Sequence, residues 1–165
     1  PLHAAAQYGN IHALRVLIEA GASLNVTKNN GATPLCVVIH AYGVGSKGNE
    51  IAGPNISAEE WERRLGKCFS MLIEAGADVN AGHSILGGPG FDLGMACVGH
   101  SYSRPDVCLP LLKRLVAVGL MMNSALTECG GHMACHAAVK RGHLRCLEIL
   151  LLAGADPTLG ADFPG

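Results

Sequence analysis

A short phrase recurs along the chain and limits what it can fold into. It reads Gly21-Ala22-Ser23-Leu24-Asn25, Gly76-Ala77-Asp78-Val79-Asn80 and Gly154-Ala155-Asp156-Pro157, with a weaker copy at Gly119-Leu120-Met121-Met122-Asn123. Each copy follows an apolar run: Leu17-Ile18-Glu19-Ala20, Leu72-Ile73-Glu74-Ala75, Leu115-Val116-Ala117-Val118 and Leu151-Leu152-Ala153. A second phrase recurs upstream, at Pro1-Leu2-His3-Ala4-Ala5-Ala6, Thr33-Pro34-Leu35-Cys36 and Cys135-His136-Ala137-Ala138. One such unit cannot bury its apolar face alone, so neighbouring copies must stack into a continuous core.

The local chemistry is that of paired helices. Leu14, Leu17 and Ile18 share one helix face, as do Leu147, Leu150 and Leu151. Pro34 suits a first helical turn, where its missing N–H does no harm, and Thr33 is placed as its N-cap. Gly21, Gly76, Gly119 and Gly154 read as helix C-caps, where a positive φ is needed. Ala4, Ala5, Ala6, Ala137 and Ala138 are small enough to let paired helices approach closely.

These phrases resemble the ankyrin repeat, a unit of about 33 residues with a T-P-L-H-x-A signature. Counted from the signature Leu, the repeats start at Leu2, Leu35, Leu93 and Cys135, spacings of 33, 58 and 42 residues. The closing glycine comes on time at Gly21 and Gly154, but 22 residues late at Gly76 and 7 late at Gly119. Most of the excess therefore lies inside repeats two and three, between their helices. Repeat three is degenerate, with Phe91-Asp92-Leu93-Gly94 in place of the signature. The resemblance implies an all-α fold, an α-solenoid of four helix-turn-helix repeats joined by β-hairpin loops. The repeats cover approximately residues 1–30, 31–85, 86–128 and 129–165, with insertions at 43–56 and 101–106. A further unit would place its Leu at position 168, and the start at Pro1, without Met, reads as a fragment of a longer chain.

Charge and composition exclude several function classes. Twelve basic residues against 13 acidic ones leave a net charge of -1, without the footprint expected for nucleic acid or an anionic membrane surface. Aromatic content of 4% argues against a base-stacking platform. No run of 18 apolar residues is available to span a bilayer, and Pro1-Leu2-His3 shows no signal-peptide pattern. The 7 cysteines mostly sit beside Val, Leu, Ala or Met, which fits reduced, packed thiols in a cytoplasmic or nuclear setting. The sequons Asn25-Val26-Thr27 and Asn55-Ile56-Ser57 read as chance matches.

The first insertion is Gly-rich and polar and reads as a loop. Its Gly43-Val44-Gly45-Ser46-Lys47-Gly48 has the spacing of a dinucleotide motif, but it follows a helix expected from Pro34 to Tyr42 and precedes more loop. No Walker A pattern is present, and no cofactor is expected. Ser57-Ala58-Glu59-Glu60 is a capping box, and Ile56 with Trp61 forms a hydrophobic staple. The helix that follows runs to about Ala75, with Trp61, Leu65, Cys68, Phe69 and Leu72 on one face. Trp61, the single Trp, has two readings: packing against the inserted loop, or anchoring a partner.

Metal and catalytic readings are weaker than packing. Cys129, His132, Cys135 and His136, with His143 and Cys146 following, form the densest set of zinc-type ligands. The spacing is no standard finger, and the resemblance assigns Cys135 to the buried Leu position, His136 to the signature His and His143 to the position after the inter-helix Gly142. No Cys/His pair has an orienting third residue, and Glu59, Glu60 and Glu62 read as a solvated helix start. No metal site and no catalytic residue is expected.

Recognition is the function that remains. The resemblance implies that partners are contacted by hairpin tips and by the exposed end of each first helix. Repeat one offers Gln7 and Tyr8; repeat two offers Asn29, Asn30 and Ala32, then His40 and Ala41. Repeat three offers Gly87, Gly88, Gly90, Val98 and Gly99, a stretch poor in side chains; repeat four offers His132, Lys140 and Arg141. The second insertion adds Tyr102 and Arg104. The chain is expected to be a scaffold or adaptor domain, non-enzymatic and monomeric, presenting a concave surface to a protein or peptide. The alternative is a regulatory or targeting segment of a larger enzyme whose catalytic domain lies elsewhere.

Overall fold

The structure is a computed structural model and describes residues 1–44, 56–81, 105–120 and 134–157. These form seven helices: α1 (Leu2–Gln7), α2 (Ile11–Glu19), α3 (Pro34–Val44), α4 (Ala58–Glu74), α5 (Pro105–Ala117), α6 (Ala134–Arg141) and α7 (Leu144–Leu152). Pairs α1–α2 and α6–α7 are helix-turn-helix units, α3 packs on α4, and α5 is the second helix of the third unit. Successive units stack: α3 lies on α1, α4 on α2, and α7 on α5.

Every second helix ends in the same way. Gly21, Gly76, Gly119 and Gly154 have φ of +78, +90, +94 and +92. Each donates its N–H three residues back, and the following N–H donates five back, as in Gly21 to Ile18 and Ala22 to Leu17, both 2.9 Å. This pair of bonds is the Schellman motif, and it satisfies carbonyls the helix end would leave bare. The expected C-caps are therefore present at all four positions.

The N-terminal signals divide. Thr33 is buried and its Oγ1 accepts from Cys36 N at 3.3 Å, so it caps α3 as expected. Ser57 Oγ accepts from Glu60 N at 3.2 Å. The return half of the capping box is replaced: the Glu60 carboxylate takes Arg63 and Arg64 instead, at 2.7 Å each. Two guanidiniums one turn away compete better for it than a single backbone N–H. In the second insertion, Pro105 and Asp106 already belong to α5, so helix begins inside the expected loop. Pro at the first position of a helix explains this start.

The finger between repeats one and two is a tight turn. Lys28 N donates to Ala32 O at 3.0 Å and Gly31 N to Lys28 O at 2.8 Å. Among the described residues no paired strand forms, because so short a finger closes in one turn and leaves no length for a ladder. Side chains link the fingers instead. Asn25 Oδ1 accepts from Asp78 N at 2.9 Å, and Asn80, at the same place one repeat on, donates Nδ2 to Gly119 O at 3.0 Å. His3 Nε2 donates to Ala32 O at 2.9 Å, tying the first signature helix to the next finger.

The core runs unbroken through the stack, with Leu14, Leu35, Phe69, Leu112, Leu115 and Leu150 fully enclosed. Each such side chain contributes roughly 1.5–3 kcal/mol of transfer free energy. The expected face of α4 is buried at all five positions: Trp61, Leu65, Cys68, Phe69 and Leu72. Arg114 of α5 closes the joint to α4, with its guanidinium 5.4 Å from the Phe69 ring centroid, bonded to Ser70 Oγ, and 3.8 Å from Glu74.

Candidate partner-binding surface

Helices α1 and α6 are short, with Ala5, Ala6, Ala137 and Ala138 buried, and their C-terminal ends reach solvent. At the end of α1, Tyr8 is 53% exposed and Gln7 half-buried. Lys28 Nζ, from the neighbouring finger, donates to Gln7 Oε1 at 3.4 Å. Asn29 and Asn30 are exposed at the tip, and Asn30 Oδ1 accepts from Ala32 N at 3.3 Å, which holds the turn. His40, half-buried on α3, has its pKa lowered by burial and then by the Lys28 charge, so its ring is neutral at pH 7. Gln7, Lys28 and His40 thus form one polar cluster, with Tyr8 exposed next to Gln7 in the chain. At the other end of the stack, Lys140 and Arg141 are exposed in the last turn of α6, where cations complement the helix dipole.

Three of the expected contact residues are placed elsewhere. Ala32 and Ala41 are buried: the His3 bond draws the finger at Ala32 inward, and Ala41 lies on the core side of α3. Trp61 is 3% exposed, so it presents no anchor to a partner. Its ring lies over the turn between α1 and α2, where a Cβ placed on Gly9 would be 3.5 Å from Trp61 Cζ3 and 3.1 Å from Arg64 Cβ. The extra length of α4 therefore covers the preceding repeat. The indole Nε1 is buried without a hydrogen-bond partner. Tyr102, Arg104 and His132, with Gly87, Gly88, Gly90, Val98 and Gly99, lie outside the described residues.

Lys28 was not anticipated. Its position beside Asn29 at a finger tip is the signal that could have found it, but a lone Lys at a tip reads from sequence as solvent cover.

The candidate ligands of the fourth repeat are dispersed between core and surface. Cys135, His143 and Cys146 are buried and His136 is exposed, while Cys129 and His132 lie outside the described residues. Among the described residues no three His, Cys, Asp or Glu side chains converge on a common point. The thiols of Cys36 and Cys68 are pushed up to about 11 by burial, which makes both poor nucleophiles at neutral pH. No helix among the described residues is long and apolar enough to cross a membrane.

No curated protein matches the chain. The family model described as ankyrin repeat matches residues 1–29 and 130–161. Those segments hold the α1–α2 and α6–α7 units, the two whose helices follow without insertion. The two matched units are thus similar to ankyrin repeats, and the described units between them share the same Schellman ends and the same stacking.

Proposed function

We infer that the chain works as ankyrin repeats generally do, as a protein–protein interaction module. We propose that this chain acts as a non-catalytic scaffold or adaptor segment, in a cytoplasmic or nuclear setting. It holds a protein or peptide against the concave row of first-helix ends and finger tips. The observation that carries this reading is the Lys28–Gln7 bond beside His40, which joins polar groups of two repeats into one presented surface. A rigid stack holds these groups in register at little ordering cost on binding, so few contacts suffice for specificity.

The test is affinity capture from native lysate with quantitative mass spectrometry. Tyr8, Lys28, His40, Lys140 and Arg141 are changed together to Ala, and a second variant carries Glu19→Ala and Arg145→Ala on the outer helices. The first variant should lose partners that the second retains, with both folded by circular dichroism. Retention of every partner by the first variant would remove the concave row as the binding surface.

A further inference from the structure

The charges of this chain divide between its two layers of helices. Residues 1–44 hold one carboxylate, Glu19, and it ends the outer helix α2. The other helix-borne carboxylates among the described residues are also on second helices: four glutamates on α4, Asp106 on α5 and Glu148 on α7. The first helices α1, α3 and α6 carry none, and neither does the finger at 22–33. Asp78 and Asp156 follow the closing glycines of second helices, and Asp78 is turned back on its own loop, where its Oδ1 accepts from Asn80 N at 2.8 Å.

The same row does carry cations. Counted from the signature Leu, Gln7, His40 and Lys140 hold one register position, and Lys140 is exposed. Lys28, exposed on the finger between the first two units, meets only a neutral amide, with its Nζ 3.4 Å from Gln7 Oε1. Among the described residues it forms no ion pair, whereas Glu60, Glu74 and Glu148 are each paired with an arginine on the second helices. Burial and the Lys28 charge lower the pKa of His40, so its ring stays neutral at pH 7. The Lys28 side chain does not hold the finger together. Its backbone N–H and carbonyl close the turn through Ala32 and Gly31, and any residue but proline supplies both. An ammonium is thus presented where α1, α3 and the finger meet, with two neutral hydrogen-bonding side chains near it.

We infer that the partner of this surface is an acidic peptide segment, one of whose Asp or Glu side chains seats on Lys28 beside Gln7 and His40. The inference rests on the concave row proposed above and names the chemistry that row selects. A carboxylate suits the site better than a phosphate. Phosphate favours the bidentate fork of arginine, and no arginine stands on α1, α3 or the finger. Complementary charge at such a site sets partner choice and encounter rate more than raw affinity.

Selection of random displayed peptides on the immobilised chain tests this with three proteins. They are the unaltered chain, Lys28→Glu, and Lys113→Glu, which makes the same charge change at an exposed position of α5. Peptides held by the unaltered chain should be enriched in Asp and Glu. Lys113→Glu should keep that enrichment; Lys28→Glu should abolish it or turn it toward Lys and Arg. For one selected peptide, Lys28→Gln should weaken binding about two- to fivefold, the usual worth of an exposed ion pair, and the difference should shrink as salt is raised. Selected peptides with no acidic bias, or a bias that survives Lys28→Glu, would overturn the inference. The row itself is judged by the variant with Tyr8, Lys28, His40, Lys140 and Arg141 changed to Ala. If that variant loses peptides that show no acidic bias, only the chemistry assigned here fails. If it retains every peptide, or if the unaltered chain selects none, the surface fails as well.

Discussion

The hydroxyl of Tyr42 fills the space that a side chain at position 66 would need: a Cβ placed on Gly66 falls 2.5 Å from it. That hydroxyl donates to Glu62 O at 2.7 Å, so α3 is fastened to α4 through a gap that only glycine leaves open. Burial, and then the Glu62 charge, push the Tyr42 phenol up to about 12, so it remains a donor at any physiological pH.

The two positions should be strongly coupled. Gly66→Ala ordinarily favours a helix interior by about 1 kcal/mol. Here it should destabilise the chain, because the rigid Tyr42 ring must shift and lose its bond. In a Tyr42→Phe background the nearest ring atom to the new Cβ is 3.8 Å away, an ordinary contact, and Gly66→Ala should turn stabilising. Urea melts of the four proteins measure the coupling directly, and simple additivity would show that the crowding is absent.

Gly9 and Gly21 separate two kinds of glycine requirement. Both have positive φ, +58 and +78, but a Cβ on Gly21 meets nothing within 4 Å while one on Gly9 meets Arg64 and Trp61. Gly21→Ala should cost roughly 1–2 kcal/mol for the left-handed backbone alone. Gly9→Ala should cost measurably more in the same denaturation experiment.

At Trp61 the size of the loss depends on what replaces it. Trp61→Ala should destabilise by about 3–5 kcal/mol through the cavity left above the Gly9 turn. Trp61→Phe should cost far less, since it also removes the buried Nε1 donor that has no partner. Equal losses would mean that the donor is satisfied in solution.

The pH response of His40 has a defined sign. Its pKa lies below 6.5, first through burial and then through Lys28, so the folded state resists a proton that the unfolded state accepts. Stability associated with neutral His40 is present above pH 6.5 and declines as pH falls below it. Lys28→Gln should raise the His40 pKa, read by NMR titration of the ring, yet leave it under 6.5 because burial remains.

Ser57 and Glu60 share a helix start but act separately. Ser57→Ala should cost about 1 kcal/mol for the lost cap. The Glu60 carboxyl is held at about 2 by hydrogen bonds from Arg63 and Arg64, so its contribution persists above 4.5 and is lost as pH drops toward 2. Changing both arginines to Gln should return its titration toward the ordinary carboxylate value.

Much of the fold is legible in the residues alone, and the reasons are local. Gly21, Gly76, Gly119 and Gly154 announce helix ends because a left-handed backbone suits no other residue as well. Thr33 and Ser57 announce helix starts because their oxygens reach backbone N–H groups three residues on. The buried face of α4 follows from helical periodicity. The candidate surface is legible in part, since Tyr8, Asn29, Asn30, Lys140 and Arg141 do lie exposed at the ends the repeat pattern indicates.

Other features depend on neighbours distant along the chain, and only the tertiary structure decides them. Trp61 is sequestered because the Gly9 turn, a whole repeat away, supplies a flat surface for its ring. Ala32 is drawn inward by His3, and Lys28 joins the surface only because Gln7 lies opposite. Periodicity determines which face of a helix is apolar; whether that face is covered depends on what stacks upon it.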